Sequence, residues 1–291
     1  MTDSPLIQVR ELAHQLGDPK LVILDATVIM PPARFDGDYR AESGRARWLD
    51  AHIPGSRFAD LLGDLSDHEA SFHFAVPRPQ ALADALRALG VDNEKRLVVY
   101  DSESGLWAAR LWWMLRGIGI QARVLDGGFR RWRDDDQLIE AGQSEARPAR
   151  AITIREDPTA WTALPAVLAI ERGEQPGALV CALSPELFHG TTPTRYARRG
   201  HIPGSRNVPA RELFDAHGLY LDTAELSRVI ANRLTTERPL VLYCGGGVSA
   251  AANALALTLL GEKRISIYDG SLEEWAADSS LPLVAHEQPG G

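Results

Sequence analysis

The sequence predicts an α/β protein of two similar domains in tandem, each a mainly parallel sheet with helices on both faces. First, the segment HIPGSR begins at His52 and again at His201, 149 residues later. Second, the apolar run LVVYD ending at Asp101 matches LVLYC ending at Cys244, 143 residues later. Third, short apolar runs alternate with helical patterns, which is typical of parallel sheets covered by helices. A period this long indicates repeated domains, because solenoid repeats span only about 20–50 residues.

The elements follow in the same order in both halves. Short buried runs predict strands over 21–24 and 96–100, and periodic segments predict helices over 79–89 and 106–118. In the second half we expect strands over 178–181, 240–243 and 265–268, with helices over 164–171, 223–234 and 250–260. Trp107, Trp112 and Trp113 lie on one of these helices, where large aromatic side chains are typical of core or domain-interface packing.

The repeat also sets the expected domain boundaries. We predict a first domain over residues 1–143, a linker over 144–160 and a second domain over 161–291. The linker stretch is rich in Ala, Arg, Glu and Pro and has weak periodicity, although 151–154 could add a strand to either domain.

The composition predicts a soluble, cytoplasmic protein. Hydrophobic residues make up 45% and charged residues 24%, the formal net charge is −8, and no apolar run is long enough to span a bilayer. The negative charge and the lack of a sustained basic run argue against nucleic acid as a partner. The N-terminus lacks the pattern of a secretory signal. The two cysteines form neither a disulfide framework nor a zinc motif, so we expect no metal.

Cys244 is the strongest candidate for a catalytic residue. It ends an apolar strand and is followed by Gly245, Gly246, Gly247, Val248, Ser249 and Ala250, which lead into a helix. Consecutive glycines let backbone N–H groups converge on one atom, and the helix adds its positive N-terminal end. Such surroundings lower the pKa of a thiol and favour a nucleophilic thiolate. The structural alternative, a buried cysteine before a turn, leaves this convergence unexplained. Ser249 is at least as well explained as the helix N-cap.

The chain resembles the tandem-domain rhodanese family of thiosulfate and 3-mercaptopyruvate sulfurtransferases. The matching segments are both HIPGSR motifs, LVVYDSESGLWAARLWWMLRGIG, DGGFRRW, LVLYCGGGVSAAANAL and YDGSLEEW. The resemblance extends over nearly the whole chain. The resemblance implies a catalytic C-terminal rhodanese domain. It also implies a catalytically inactive N-terminal rhodanese-like domain, in which Asp101 stands at the position of the nucleophile.

The resemblance implies sulfur transfer without a bound cofactor. The Cys244 thiolate would take the outer sulfur of a small anionic donor as a persulfide, and cyanide, a thiol or a protein cysteine would then accept it. A phosphatase of related fold is rejected, because the loop has no arginine to hold a phosphoryl group. The other alternative is a non-enzymatic binding or regulatory module, against which the intact cysteine argues.

The sequence narrowly favours thiosulfate over 3-mercaptopyruvate as the donor. The neutral loop is similar to that of mercaptopyruvate enzymes, but Gly246 replaces the serine proposed to activate the mercaptopyruvate thiol. Aligning on the proline at position 77 puts Phe74 where those enzymes have a histidine. His73 lies one residue out of register, and a one-residue slip can reverse the direction of a side chain.

The residues that bind the donor depart from the family pattern. Relatives carry a Gly-Arg-Phe motif where this chain has Leu187 before its phenylalanine, and His189 can bind an anion only as a donor or when protonated. Arg195 matches a downstream substrate arginine, and Arg198 and Arg199 lie nearby as alternatives. A solvated basic surface is the other interpretation of all three, and it is the favoured one for Arg198 and Arg199. Asp60 is a further candidate, for which hydrogen bonding within its loop is the favoured interpretation.

Overall fold

The computed structural model describes residues 4–144, 149–234 and 237–285. The strands, in chain order, are β1 (Leu6–Ile7), β2 (Leu21–Asp25), β3 (Val28–Ile29), β4 (Glu42–Ser43), β5 (Arg57–Phe58), β6 (Arg96–Tyr100), β7 (Ala122–Leu125), β8 (Trp161–Thr162), β9 (Ala178–Cys181), β10 (Arg206–Asn207), β11 (Leu240–Tyr243) and β12 (Ile265–Tyr268). The helices are α1 (Val9–Ala13), α2 (Arg45–Asp50), α3 (Pro79–Ala88), α4 (Leu106–Gly117), α5 (Gly128–Asp134), α6 (Leu164–Glu171), α7 (Pro185–Phe188), α8 (Thr223–Ala231), α9 (Val248–Leu259) and α10 (Ser271–Ala277). A 3₁₀ turn spans Ala210–Leu213.

The strands form two five-stranded parallel sheets with the same topology. The first has the order β1-β7-β6-β2-β5, and the second, read from its β8 edge, has the order β8-β12-β11-β9-β10. Each strand of one sheet therefore has a counterpart at the same place in the other. Strands β3 and β4 form a separate antiparallel pair. The predicted fold class is confirmed, and each predicted strand and helix is present with ends within three residues of those expected.

Two expectations near the domain junction have different outcomes. Residues 151–154 form no strand, because the sheets of both domains are completed by other segments. Residues 145–148 of the predicted linker lie outside the described part of the chain, so the boundaries at 143 and 161 stay predictions.

Within the described ranges, no helix is both long and apolar enough to cross a membrane.

Helices α4 and α9 pack against each other at the centre of the molecule. Both follow the middle strand of their sheet, and one hydrophobic cluster runs through them from one half to the other. Trp107, Trp112 and Trp113 are all buried in this cluster, as predicted. A helix that is buried nearly all round needs apolar residues on every face, which explains the weak amphipathic pattern of α4 and α9.

Arg110 is the exception in this apolar interface. Its side chain on α4 is 1% exposed and forms an ion pair with Asp269 of the other half, with 2.6 Å between Nη2 and Oδ1. Nη2 also donates to the carbonyl of Phe74 at 2.6 Å, and the guanidinium lies over the ring of Trp161. A buried charge is stable only when it is paired and hydrogen-bonded, so this arginine fixes the position of both segments that it contacts.

Replacing Arg110 with methionine is expected to destabilise the protein by about 3 kcal/mol, because the substitution leaves the Asp269 carboxylate without its cation. Urea unfolding followed by tryptophan fluorescence would measure this loss. Arg130→Met is the matched control, since Arg130 is exposed and pairs only loosely with Asp134. Equal unfolding midpoints for the two variants would contradict a structural role for the buried pair.

Candidate active site

Cys244 lies at the carboxyl end of β11, the central strand of the second sheet. Ligands of open α/β sheets bind at this edge. The side chain is 2% exposed, and the loop after it turns into α9 at Gly247, whose φ of +72° is a left-handed conformation. A Cβ at Gly247 would also lie 2.7 Å from Nη1 of Arg110. Only glycine fits there, for reasons of both conformation and space.

Ser249 is not the N-cap of α9. The helix begins at Val248, so Gly247 is the N-cap and Ser249 is the second helical residue. The N-cap preference of serine places the end of the loop at Ser249, whereas the left-handed Gly247 ends it two residues earlier. Val248 and Ser249 both line the cavity above Cys244, whereas Ala250 is fully buried and does not.

Ser271 fixes the shape of the cysteine loop. Its hydroxyl accepts hydrogen bonds from the N–H groups of Cys244 at 3.1 Å and Gly247 at 3.0 Å, and donates to the carbonyl of Tyr268 at 2.8 Å. Ser271 has a φ of +50°, unfavourable for a residue with a Cβ. The Gly247 N–H is therefore already bonded. In the described part of the chain, the N–H groups of Gly245 and Gly246 donate to no protein acceptor and are free for a ligand.

The equivalent loop of the first half holds an anion of its own. One carboxylate oxygen of Asp101 accepts hydrogen bonds from the N–H groups of Glu103, Ser104 and Gly105 at 2.9 to 3.0 Å, and the other accepts from Ala108 at 2.9 Å. Backbone N–H groups at such a strand–loop–helix junction thus form an anion site. In the second half a sulfur atom begins the loop, so the same kind of site is open to an anion attached to that sulfur.

A cavity of about 200 Å³ opens above Cys244, between the two halves. Its walls are mostly apolar. The first half contributes Met30, Tyr39, Phe74 and Trp107, and the second contributes Leu183, Leu187, Arg195, Tyr196 and the glycine loop. Burial, together with the nearby Glu273 and Cys244, raises the pKa of Tyr39 well above its usual value, so its hydroxyl stays protonated.

Arg195 is the predicted donor-binding residue that reaches this cavity. Nη2 donates to the carbonyls of Met30 at 3.2 Å and Pro31 at 2.7 Å, which holds the guanidinium against the first half. Burial lowers the pKa of Arg195 from its usual value. Its Nε is buried and has no hydrogen-bond partner among the described residues, so one N–H remains for a ligand.

The other predicted donor-binding residues lie elsewhere. The ring of His189, just after α7, packs edge-on against Phe188 and does not line the cavity. Arg198 donates to the carbonyls of Trp275, Ala276, Asp278 and Leu281, so it holds the end of α10 in place. Asp60 accepts the N–H of Leu62 within its own turn, the structural role that was favoured for it.

Glu273 is a site residue that the sequence reasoning missed. It lines the cavity, its N–H donates to the carbonyl of Gly245 at 2.9 Å, and Nδ1 of His73 is hydrogen-bonded to its Oε1. His73 comes from the first half, 200 residues earlier. The acidic pair in YDGSLEEW was the available signal for Glu273. The sequence spacing could not show that His73 is its partner.

Comparison with known proteins agrees with this geometry. A rhodanese-like domain matches residues 8–135 and 183–278. The 3-mercaptopyruvate sulfurtransferase of Escherichia coli (strain K12) is 36% identical over 276 residues, which cover 94% of this chain and 95% of that protein. A putative thiosulfate sulfurtransferase, SseB, of Mycobacterium tuberculosis (strain ATCC 25618 / H37Rv) is 33% identical and covers 96% of both.

Among solved structures, the crystal structure of SseA, a 3-mercaptopyruvate sulfurtransferase from Escherichia coli, has a TM-score of 0.81 and 33% sequence identity. The match covers 92% of this chain and 98% of that one. The resemblance found in the motifs is therefore confirmed. The two domain matches and the relatives together identify the chain as a member of the rhodanese family, an enzyme of the sulfurtransferase class.

Proposed function

We propose that this sulfurtransferase works through a persulfide on Cys244. The thiolate attacks the outer sulfur of the donor, an S–S bond forms, and the electron pair of the broken bond leaves with the rest of the donor. The observation that carries the proposal is the position of Cys244 at the floor of the cavity, beside the free N–H groups of Gly245 and Gly246. These groups would stabilise the terminal sulfur anion as an oxyanion hole stabilises oxygen.

The charges of the cavity favour 3-mercaptopyruvate over thiosulfate as its donor. The charged lining residues are Arg195, Arg211, Glu103 and Glu273, so two cations are balanced by two carboxyl groups. Thiosulfate is a dianion and would meet the Glu273 carboxyl beside the loop, whereas mercaptopyruvate brings one carboxylate and an organic body that suits apolar walls. Thiosulfate, which the sequence narrowly favoured, remains the second donor.

The acceptor would reach the persulfide through the same opening. Cyanide or a small thiol fits the cavity, and a protein cysteine would need only its side chain to enter. Attack on the terminal sulfur returns Cys244 to the thiolate, which gives the two-step pattern of covalent catalysis. No bound cofactor takes part in this scheme.

Incubation with 3-mercaptopyruvate or thiosulfate is expected to add one sulfur, about 32 Da, to the protein, and cyanide is expected to remove it. Intact-mass spectrometry would follow both steps. Cys244→Ser must not gain the mass. Cys181→Ser is the matched control that must still gain it, because Cys181 is fully buried and burial raises its pKa to about 12. Loading by neither donor would contradict the proposal.

Replacing Ser271 with glycine is expected to slow persulfide formation by up to about 30-fold, because two loop N–H groups lose their acceptor, at about 1 kcal/mol each. Glycine tolerates the positive φ, so this variant tests the hydroxyl without adding strain. The rate of mass gain would measure the effect. Ser280→Gly, in an exposed turn next to α10, serves as the control. An unchanged rate in Ser271→Gly would show that the loop keeps its shape without the hydroxyl.

Arg195→Gln is expected to raise KM for either donor roughly 10- to 100-fold, with a smaller effect on kcat. The reason is the loss of a charge-assisted hydrogen bond to the donor, worth about 1.5–3 kcal/mol. Steady-state kinetics with each donor would measure this. Arg199→Gln is the control, because Arg199 pairs with Asp36 and does not line the cavity. Equal KM values in the two variants would remove Arg195 from the donor site.

A further inference from the structure

Glu273 lines the cavity, and one of its carboxyl oxygens has no hydrogen bond within the described residues. Oε2 is buried and has no hydrogen-bond partner within the described residues. A Cβ built on Gly246 would lie 3.6 Å from that oxygen, so the carboxyl group sits against the middle of the cysteine loop. Buried polar atoms are nearly always hydrogen-bonded, and an exception next to a nucleophile points to a ligand or a proton that completes it.

His73 holds the other oxygen of Glu273. Its Nδ1 is hydrogen-bonded to Oε1, and its ring stacks on Tyr39 with 3.8 Å between centroids. The histidine side chain is 55% exposed, whereas that of Glu273 is 14% exposed. The pair therefore connects a buried oxygen beside the loop with solvent, through an imidazole that can both accept and donate a proton.

The backbone after His73 is held firmly. The carbonyl of Phe74 accepts from Arg110, and the N–H of Val76 donates to Asp269 at 2.8 Å. Phe74 itself has a φ of +59°. The two anchoring side chains, Arg110 and Asp269, form the buried ion pair between the two halves. This ion pair therefore fixes the position of His73 relative to Glu273.

We propose that Glu273, supported by His73, is the acid–base group of the sulfur-transfer step and makes thiol donors the preferred substrates of this enzyme. This inference rests on the proposed persulfide function and names the residue that makes 3-mercaptopyruvate a substrate. Glu273 would act as a catalytic residue, because it lines the cavity in which the donor would bind. His73 would act through it, as a positioning residue.

The step needs no reactant other than the enzyme and the donor. The Cys244 thiolate attacks the donor sulfur, an S–S bond forms, and the carbon–sulfur bond breaks with its electron pair moving to carbon. The proton of the donor thiol passes to Glu273 and from there to that carbon, so pyruvate leaves and the persulfide remains as an anion. General acid–base catalysis of this kind contributes about 10²- to 10⁴-fold.

Thiosulfate differs from a thiol donor because it has no proton to move. Attack on its outer sulfur releases sulfite directly, so the carboxyl group of Glu273 offers no help and repels the dianion. Neutralising this group should therefore slow sulfur transfer from 3-mercaptopyruvate and leave transfer from thiosulfate unchanged or faster. A merely structural role for Glu273 would instead impair both donors alike.

The test compares Glu273→Gln with wild type, using the rate of Cys244 mass gain and pyruvate release. With 3-mercaptopyruvate the rate is expected to fall at least 100-fold. With thiosulfate it is expected to stay the same or rise. Glu274→Gln is the matched control, since this neighbouring carboxyl group packs on Gly270 and does not line the cavity. It should leave both rates close to those of wild type.

His73→Asn provides a second, independent arm. The amide can still hydrogen-bond to Oε1 of Glu273 but cannot carry a proton, so a loss of roughly 10-fold with 3-mercaptopyruvate and none with thiosulfate is expected. His68→Asn is its control, because the ring of His68 is hydrogen-bonded to the carbonyl of Gly63 and does not line the cavity.

Several results would overturn the proposal. An unchanged 3-mercaptopyruvate rate in Glu273→Gln, or an equal loss with both donors, would leave the carboxyl group with a structural role at most. Wild-type loading by thiosulfate alone would also overturn it, while the persulfide function would stand. Loading of wild type by neither donor would overturn both.

Discussion

The two halves are held together by a reciprocal contact that the active site depends on. In each half, the aspartate of the Asp-Gly turn accepts a backbone N–H from the other half: Asp126 accepts that of Tyr220 at 2.9 Å, and Asp269 accepts that of Val76 at 2.8 Å. Asp269 also pairs with the buried Arg110, whose Nη1 would lie 2.7 Å from a Cβ at Gly247 and is therefore close to the cysteine loop. The cysteine loop thus lies against a cation from the first half. A buried guanidinium stabilises negative charge nearby. The first half therefore contributes to the electrostatic environment of the cysteine loop, which belongs to the second half.

The duplication explains how one fold provides both a structural and a reactive version of the same loop. In the first half the carboxylate of Asp101 fills the nest of N–H groups, and the nearby Gly128 leaves room for its backbone. In the second half a cysteine replaces the aspartate, and Ser271 replaces the glycine despite its positive φ. The serine hydroxyl accepts the N–H groups of Cys244 and Gly247, whereas those of Gly245 and Gly246 have no acceptor in the described part of the chain. Backbone strain is retained where the surrounding structure requires it, and here it holds the loop open.

Much of this arrangement could be predicted from the sequence, and the failures have physical reasons. The central strands were found because runs such as 240–243 are buried on both faces and read as continuous apolar segments. Ser249 was misjudged as a cap because left-handed glycine, rather than a side chain, ends the loop at Gly247. His189 was expected near the donor, but the short helix α7 ends just before it and turns its ring toward Phe188. The contact between His73 and Glu273 joins the two halves across 200 residues, and periodicity within one element carries no information about it.

A loop made of three glycines leaves acid–base chemistry to other elements. Gly245 and Gly246 offer only backbone N–H groups, which stabilise an anion but cannot move a proton between donor atoms. Proton transfer must therefore come from side chains that line the cavity above the loop. Among the described ones, Glu103 and Glu273 carry carboxyl groups, and Glu103 is ion-paired with Arg47, whereas the raised pKa of Tyr39 keeps its hydroxyl protonated. The carboxyl group lies beside the glycine that replaces the family's serine. In the proposed step the proton-handling group thus lies on α10 rather than in the cysteine loop, which has a glycine at the position of the family's serine.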